Sequence, residues 1–88
     1  MKLIGTPLCI HCDEAQEYLK QEGIDYEYFN LTEDIYKLKD FLRIRDSRNE
    51  FDSKKQDSKV GVPCFYFEDD YITFDLDDAV ARYKAGHR

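Results

Sequence analysis

The chain has 88 residues, 42% of them hydrophobic, and a formal net charge of −6 at neutral pH. A domain of this size buries roughly 60% of the surface its unfolded chain exposes, which allows one core and excludes a second. The acidic balance argues against nucleic acid and anionic membrane as partners, because neutralising phosphates needs a basic face, and no run approaches the length of a membrane span.

Met1-Lys2 runs straight into a strand pattern, without the apolar run and small-residue cleavage site of a secretory signal. Three cysteines are an odd number, which does not suit a fully paired secreted framework. The expectation is a reducing cytoplasm, where a Cys-x-x-Cys pair is catalytic or metal-binding and not a staple. Seven Tyr and six Phe, with no Trp, must supply much of the core. The whole chain, residues 1–88, reads as one domain and a monomer.

Residues 2–6 form the first expected strand. From Ile10 or His11 to Glu22 the pattern is helical, with Cys12, Ala15, Tyr18 and Leu19 on one face. Gly23 is a C-terminal stop. Tyr26 to Leu31 alternates aromatic and polar residues as a second strand. Thr32 is the expected N-cap of a second helix carrying Ile35, Leu38, Phe41 and Leu42. Arg43, Arg45 and Arg48 suit the negative end of that helix. Ser47 to Lys59 reads as a charged connector with room for one helical turn, pinned by its single aromatic, Phe51.

Val62 to Phe67 is the strongest strand in the chain. Its alternation puts Val62 and Cys64 on one face and Phe65 and Phe67 on the other. Glu68 to Tyr71 is a tight turn into a short fourth strand, Tyr71 to Thr73. Leu76, Ala79, Val80 and Tyr83 mark a last amphipathic helix, and Gly86 to Arg88 a frayed end. The order is β-α-β-α-β-β-α. Its βαβ start implies a parallel pair with a right-handed crossover, and its final hairpin an antiparallel pair. The fold class is therefore α/β, a mixed four-stranded sheet flanked by helices.

The chemistry concentrates in Thr6-Pro7-Leu8-Cys9-Ile10-His11-Cys12. A Cys-x-x-Cys pair between a strand and a helix is a redox context. The first turn of a helix presents unpaired N–H groups and the positive end of the macrodipole, both of which favour thiolate at Cys9. Cys9 is the expected nucleophile. Cys12, one turn deeper on the core-facing side, resolves the mixed disulfide and keeps its proton until needed because burial disfavours the charged form. His11 between them is either a solvated surface side chain or a positive neighbour that further favours the Cys9 thiolate.

Pro63 opens a central strand, where it is out of place unless its peptide bond is cis or its missing N–H is useful. The expectation is a cis Val62–Pro63 bond facing the cysteines, with the Val62 backbone left free to pair with a substrate as an added strand. Cys64, directly after the proline, is either a small buried hydrophobe or a third thiol near the site. Two readings compete with thiol chemistry. One is a small metal or iron–sulfur carrier using Cys9 with Cys12 or Cys64, although a four-ligand site has few other candidates here. The other is a binding domain whose cysteines are vestigial. Redox exchange needs no metal at the site.

The strand, the Pro-x-Cys-x-x-Cys run, the amphipathic helix, the βαββα remainder and Val62-Pro63 before the third strand together resemble glutaredoxin. Arg45-Asp46, Phe51-Asp52 and Gly61-Val62-Pro63-Cys64-Phe65 resemble small bacterial glutaredoxin-related proteins more narrowly. The resemblance covers nearly the whole chain. It implies a thioredoxin fold, Cys9 as nucleophile and Cys12 as resolving thiol, with no bound cofactor and glutathione as a co-substrate. The other partners it implies are disulfide-bearing proteins. It also implies a glutathione groove lined by the Cys9 turn with Thr6, by Val62 and Pro63, and by the start of the last helix, where Asp77 falls at the family's contact with the glutathione amine, with Pro7 and His11 modulating the reactive thiol. Many relatives carry Lys at the position of Thr6, Pro-Tyr at Ile10-His11, and two glycines where this chain has Thr73-Phe74. A glycine lets a ligand approach the backbone closely, so the sequence predicts that Phe74 intrudes on glutathione there and that Asp75 repels its carboxylate.

Overall fold

A computed structural model describes residues 1–57 and 59–88. Four strands, β1 (Lys2–Gly5), β2 (Glu27–Asn30), β3 (Cys64–Tyr66) and β4 (Ile72–Thr73), form one mixed sheet in the order β2-β1-β3-β4. β1 pairs parallel with β2, β1 antiparallel with β3, and β3 antiparallel with β4. Among the described residues four helices accompany them: α1 (Ile10–Gln21), α2 (Ile35–Ser47), α3 (Asp52–Gln56) and α4 (Leu76–Lys84). The expected order holds, and the connector adds a 3₁₀ turn at Asn49–Phe51 running into α3. No helix among the described residues is long and apolar enough to cross a membrane.

Alternation along the central strands divides the core into two layers. Leu3 and Phe65 point to one side, where Ala15 and Leu19 of α1, Ala79 and Val80 of α4, Ile24 and Phe67 close over them. Ile4 and Cys64 point to the other, against Phe41 of α2, Phe51, Leu31 and Ile72. β1 is buried on both faces because helices cover both, which is why it reads as an apolar run. On α1 the buried residues are Cys12, Ala15 and Leu19. Tyr18 instead lies at the edge of this stripe, exposed, its hydroxyl donating to Glu22 at 3.3 Å.

The helix ends follow from side-chain chemistry. α1 stops at Gly23 (φ 67°), where the N–H of Gly23 donates to Lys20 O and that of Ile24 to Leu19 O. This is a Schellman arrangement, and Ile24 and Leu19 meet in the same core layer. The cap of α2 is Asp34, whose carboxylate accepts from Lys37 N–H at 2.9 Å. Thr32, two residues too early to cap, bonds instead to the Asn30 side chain through its N–H and hydroxyl. Asp75 caps α4 by accepting from Asp77 N–H at 2.9 Å.

The connector is pinned by Phe51, which is fully buried and meets Phe41 and Phe74 edge-on at 5.6 and 5.0 Å between ring centroids. Arg48 forks onto Glu50 and donates to the Asp70 carbonyl at 2.8 Å, tying the connector to the β3–β4 turn. In that turn Asp70 N–H donates to Phe67 O, Phe67 N–H to Tyr71 O, and Asp70 takes positive φ (66°). A three-residue hairpin loop needs its last residue in that conformation, and Asp tolerates it better than most. The chain end is held, not frayed: Glu68 N–H donates to Arg88 O, and the Arg88 guanidinium stacks 4.0 Å from the Tyr83 ring centre.

Candidate active site

Strand register decides what meets at the edge of the sheet. Gly5 ends β1 opposite Asn30 of β2, so the chain leaves both parallel strands at the same edge. β3 runs the other way and begins at Cys64 opposite Ile4. Val62 and Pro63 therefore enter the sheet where β1 leaves it. β4 pairs Thr73 with Phe65, so Phe74, Asp75 and the start of α4 emerge at this edge too. The topology thus gathers the Thr6–Cys12 segment, Val62, Pro63 and the Asp75–Asp77 turn at one end.

Thr6 to Cys9 is a tight turn, with Cys9 N–H donating to Thr6 O at 3.1 Å. Pro7 fits its second position because the ring fixes φ as the turn requires. The Thr6 hydroxyl accepts from Leu8 N–H at 3.2 Å and lies 2.9 Å from the Thr32 hydroxyl, which locks the turn to the end of β2. The side chain of Thr6 is therefore engaged within the fold. Pro7 and Leu8 are exposed. Cys9 is the N-cap residue of α1 and is half-buried; its carbonyl accepts from Cys12 and Asp13 N–H.

Cys12 is fully buried one turn along. Burial pushes its thiol up to about 12, a hydrogen bond with the Cys9 side chain adds to this, and a backbone hydrogen bond from Thr6 works the other way. One thiol is thus reachable from solvent and the other, one turn along α1, is covered. Two residues that the motif did not announce complete the pocket around Cys12. A Cβ at Gly5 would lie 2.9 Å from the Cys12 sulfur and 3.6 Å from Cε1 of Tyr28, so only glycine lets α1 settle at this depth. A glycine closing an apolar strand just before the cysteine turn was the signal for it. Tyr28, at the middle of β2, brings the edge of its ring to the same place, and its hydroxyl is buried.

The remaining expected site residues fall in three positions. His11 is exposed with Nδ1 3.6 Å from a Glu14 carboxylate oxygen, the placement of a solvated side chain paired along its own helix. The Val62–Pro63 bond is cis, and both residues are half-buried. Asp77 is exposed in the first turn of α4. Cys64 is buried in the layer with Phe41 and Phe51, across the sheet from α1, and burial pushes its thiol up to about 12. The fold does not bring it to the other two cysteines. Among the described residues no three His, Cys, Asp or Glu side chains converge as metal ligands.

Phe74 does not stand free at the edge of the site. Its ring packs on Phe51 and is covered by Lys54, whose Nζ lies 4.9 Å from the ring centre. Gly61, two residues before the proline, meets the same Phe51 ring: a Cβ there would lie 2.8 Å from it, and φ is +99°. Phe51 thus supports both segments that flank Val62 and Pro63.

The glutaredoxin family model matches residues 1–72 of this chain, which includes Thr6–Cys12, Tyr28 and Val62-Pro63. An uncharacterised protein of Haemophilus influenzae is 33% identical over 58 residues, covering 66% of this chain and 67% of that protein. No solved structure matches the chain.

Proposed function

Since the chain belongs to the glutaredoxin family, we propose that it is a thiol–disulfide oxidoreductase in which Cys9 is the attacking thiol and Cys12 the resolving one. One observation carries this reading. The two thiols lie one turn apart at the start of α1 with opposite environments, Cys9 half-exposed and Cys12 buried with its thiol held up to about 12. An attacking thiol must reach a substrate from solvent. A resolving thiol is best kept protonated and covered, so that it does not compete for the first attack.

The exchange then runs in two displacements. The Cys9 thiolate attacks one sulfur of a substrate disulfide; a bond forms between Cys9 and that sulfur, the substrate S–S bond breaks, and the second substrate sulfur leaves as a thiolate that takes up a proton. Cys12 next attacks Cys9 Sγ, giving the Cys9–Cys12 disulfide, and the first substrate sulfur leaves with the proton that Cys12 gives up. The substrate gains two electrons and the chain loses them. Val62 and Pro63, entering the sheet at this edge, offer backbone against which an extended substrate aligns as an added strand. Exposed Leu8 and Ile10 flank Cys9 and offer apolar contact to a disulfide-bearing protein. Glutathione is the small co-substrate of this reading, and the cytoplasm its compartment.

Equilibrating the chain in glutathione redox buffers, and separately with an oxidised protein disulfide, tests the reading. The expected products are a Cys9–Cys12 disulfide in the wild type, a trapped mixed disulfide in Cys12→Ser, and neither in Cys9→Ser. Absence of exchange with either oxidant overturns it.

A further inference from the structure

Tyr28 brings a hydroxyl into the interior and gives it nothing to bond to. Among the described residues its oxygen is buried with no hydrogen-bond partner. A buried, unpaired hydroxyl is a cost that Phe would avoid at the same volume. A nearby tyrosine just before the strand, Tyr26, is satisfied by Gln16 at 3.0 Å. Tyr28 is therefore the exception, and its location is specific: its Cε1 and the Cys12 sulfur close on the same point above Gly5, at 3.6 and 2.9 Å.

We propose that the Tyr28 hydroxyl is the donor that receives Cys12 when it becomes a thiolate in the resolving step. The inference rests on the exchange reading above. In the reduced chain Cys12 carries its proton and needs no donor. As it attacks the Cys9 mixed disulfide its proton passes to the departing substrate sulfur, and negative charge grows on a sulfur cut off from water. A hydrogen bond to a charged acceptor is about twice as strong as one between neutral groups, and it matters most where solvent is excluded. Burial, followed by the charges of Cys12, Asp13, Cys9 and Tyr26 around it, raises the titration of Tyr28 above the ordinary 10.0, so it remains a donor across the working range. The arrangement leaves the hydroxyl idle in the resting state and engages it only when the charge appears.

Stopped-flow reaction with a chromogenic aryl disulfide separates the two steps. The first aryl thiolate is released as Cys9 attacks, the second as Cys12 resolves, and Cys12→Ser identifies the second by losing it. For Tyr28→Phe, the second phase should slow roughly tenfold relative to the first, equivalent to about 1.4 kcal/mol, and its pH midpoint should move up by about one unit. The same variant, freed of an unpaired buried hydroxyl, should melt at a higher temperature than the wild type when reduced. A wild-type second phase and pH midpoint in Tyr28→Phe overturn the inference, as does equal slowing of both phases, which would mark a packing effect. A wild type that releases no aryl thiolate overturns the exchange reading itself, and this inference with it.

Discussion

Cys12 and Gly5 are in contact at the end of β1, so closely that a single Cβ on Gly5 would stand 2.9 Å from the Cys12 sulfur and 3.1 Å from its Cβ. The depth of the buried thiol is thus set by a missing methyl group on the neighbouring strand. Gly5→Ala must lift the first turn of α1 or push β1 aside, and overpacking of this kind costs about 1–3 kcal/mol. The expected outcome is a lower denaturation midpoint together with slower closure of the Cys9–Cys12 disulfide. Wild-type values for both would show that the turn yields freely and that Gly5 does not set the position.

Phe51 fixes the other side of the site. It is fully buried, touches Phe41 and Phe74 edge-on, and fills the space that a Cβ of Gly61 would need. Phe51→Ala should cost about 3–5 kcal/mol, against a total stability of about 4–13 kcal/mol for a domain of this length. Urea denaturation measures it. A loss below about 1 kcal/mol would mean that the connector is a passive loop.

The order of elements, the two faces of β3 and the cysteine turn were legible because each is carried by periodicity or by a punctuating residue. Positions that depend on what lies across a gap were not. Cys64 and Phe65 clearly point opposite ways, yet only the layers of helices tell which of them shares a side with α1. Thr32 and Asp34 are both good caps; Asn30 decides between them by engaging Thr32, and no local rule weighs that. The packing of Phe74 on Phe51 was not legible either, because the two are remote in sequence. Tyr28 looked like one more aromatic in an alternating strand, and its significance arises only from Gly5 and Cys12 beside it.

That choice of cap is testable on its own. The Asp34 carboxylate accepts from Lys37 N–H at 2.9 Å, so Asp34→Ala should lower stability by about 1 kcal/mol, while Asp34→Ser, which keeps a side-chain acceptor, should recover most of it. Equal losses in the two variants would remove the capping role.

Alkaline pH should expose the two buried thiols in the reduced chain. Burial holds both Cys12 and Cys64 up to about 12, against an ordinary value of 9.0. Below pH 9 each thiol is protonated whether the chain is folded or not, and the contribution to stability is fully present. Between 9 and 12 the unfolded chain gives up these protons while the folded chain retains them, so the unfolded state binds fewer and stability falls as pH rises. Each thiol adds a slope of about 1.4 kcal/mol per pH unit within that window. Half-buried tyrosines with raised titration, such as Tyr28, contribute in the same sense, so the decisive quantity is a difference between proteins. Denaturation of wild type and Cys64→Ala under reductant, repeated at steps from about pH 8 to about pH 11, should give curves that converge as pH rises, because the variant loses the share of one thiol. Closing the Cys9–Cys12 disulfide should remove the share of Cys12 in the same way. Curves that stay parallel across the range would show that the Cys64 thiol ionises as readily in the folded chain as in the unfolded one.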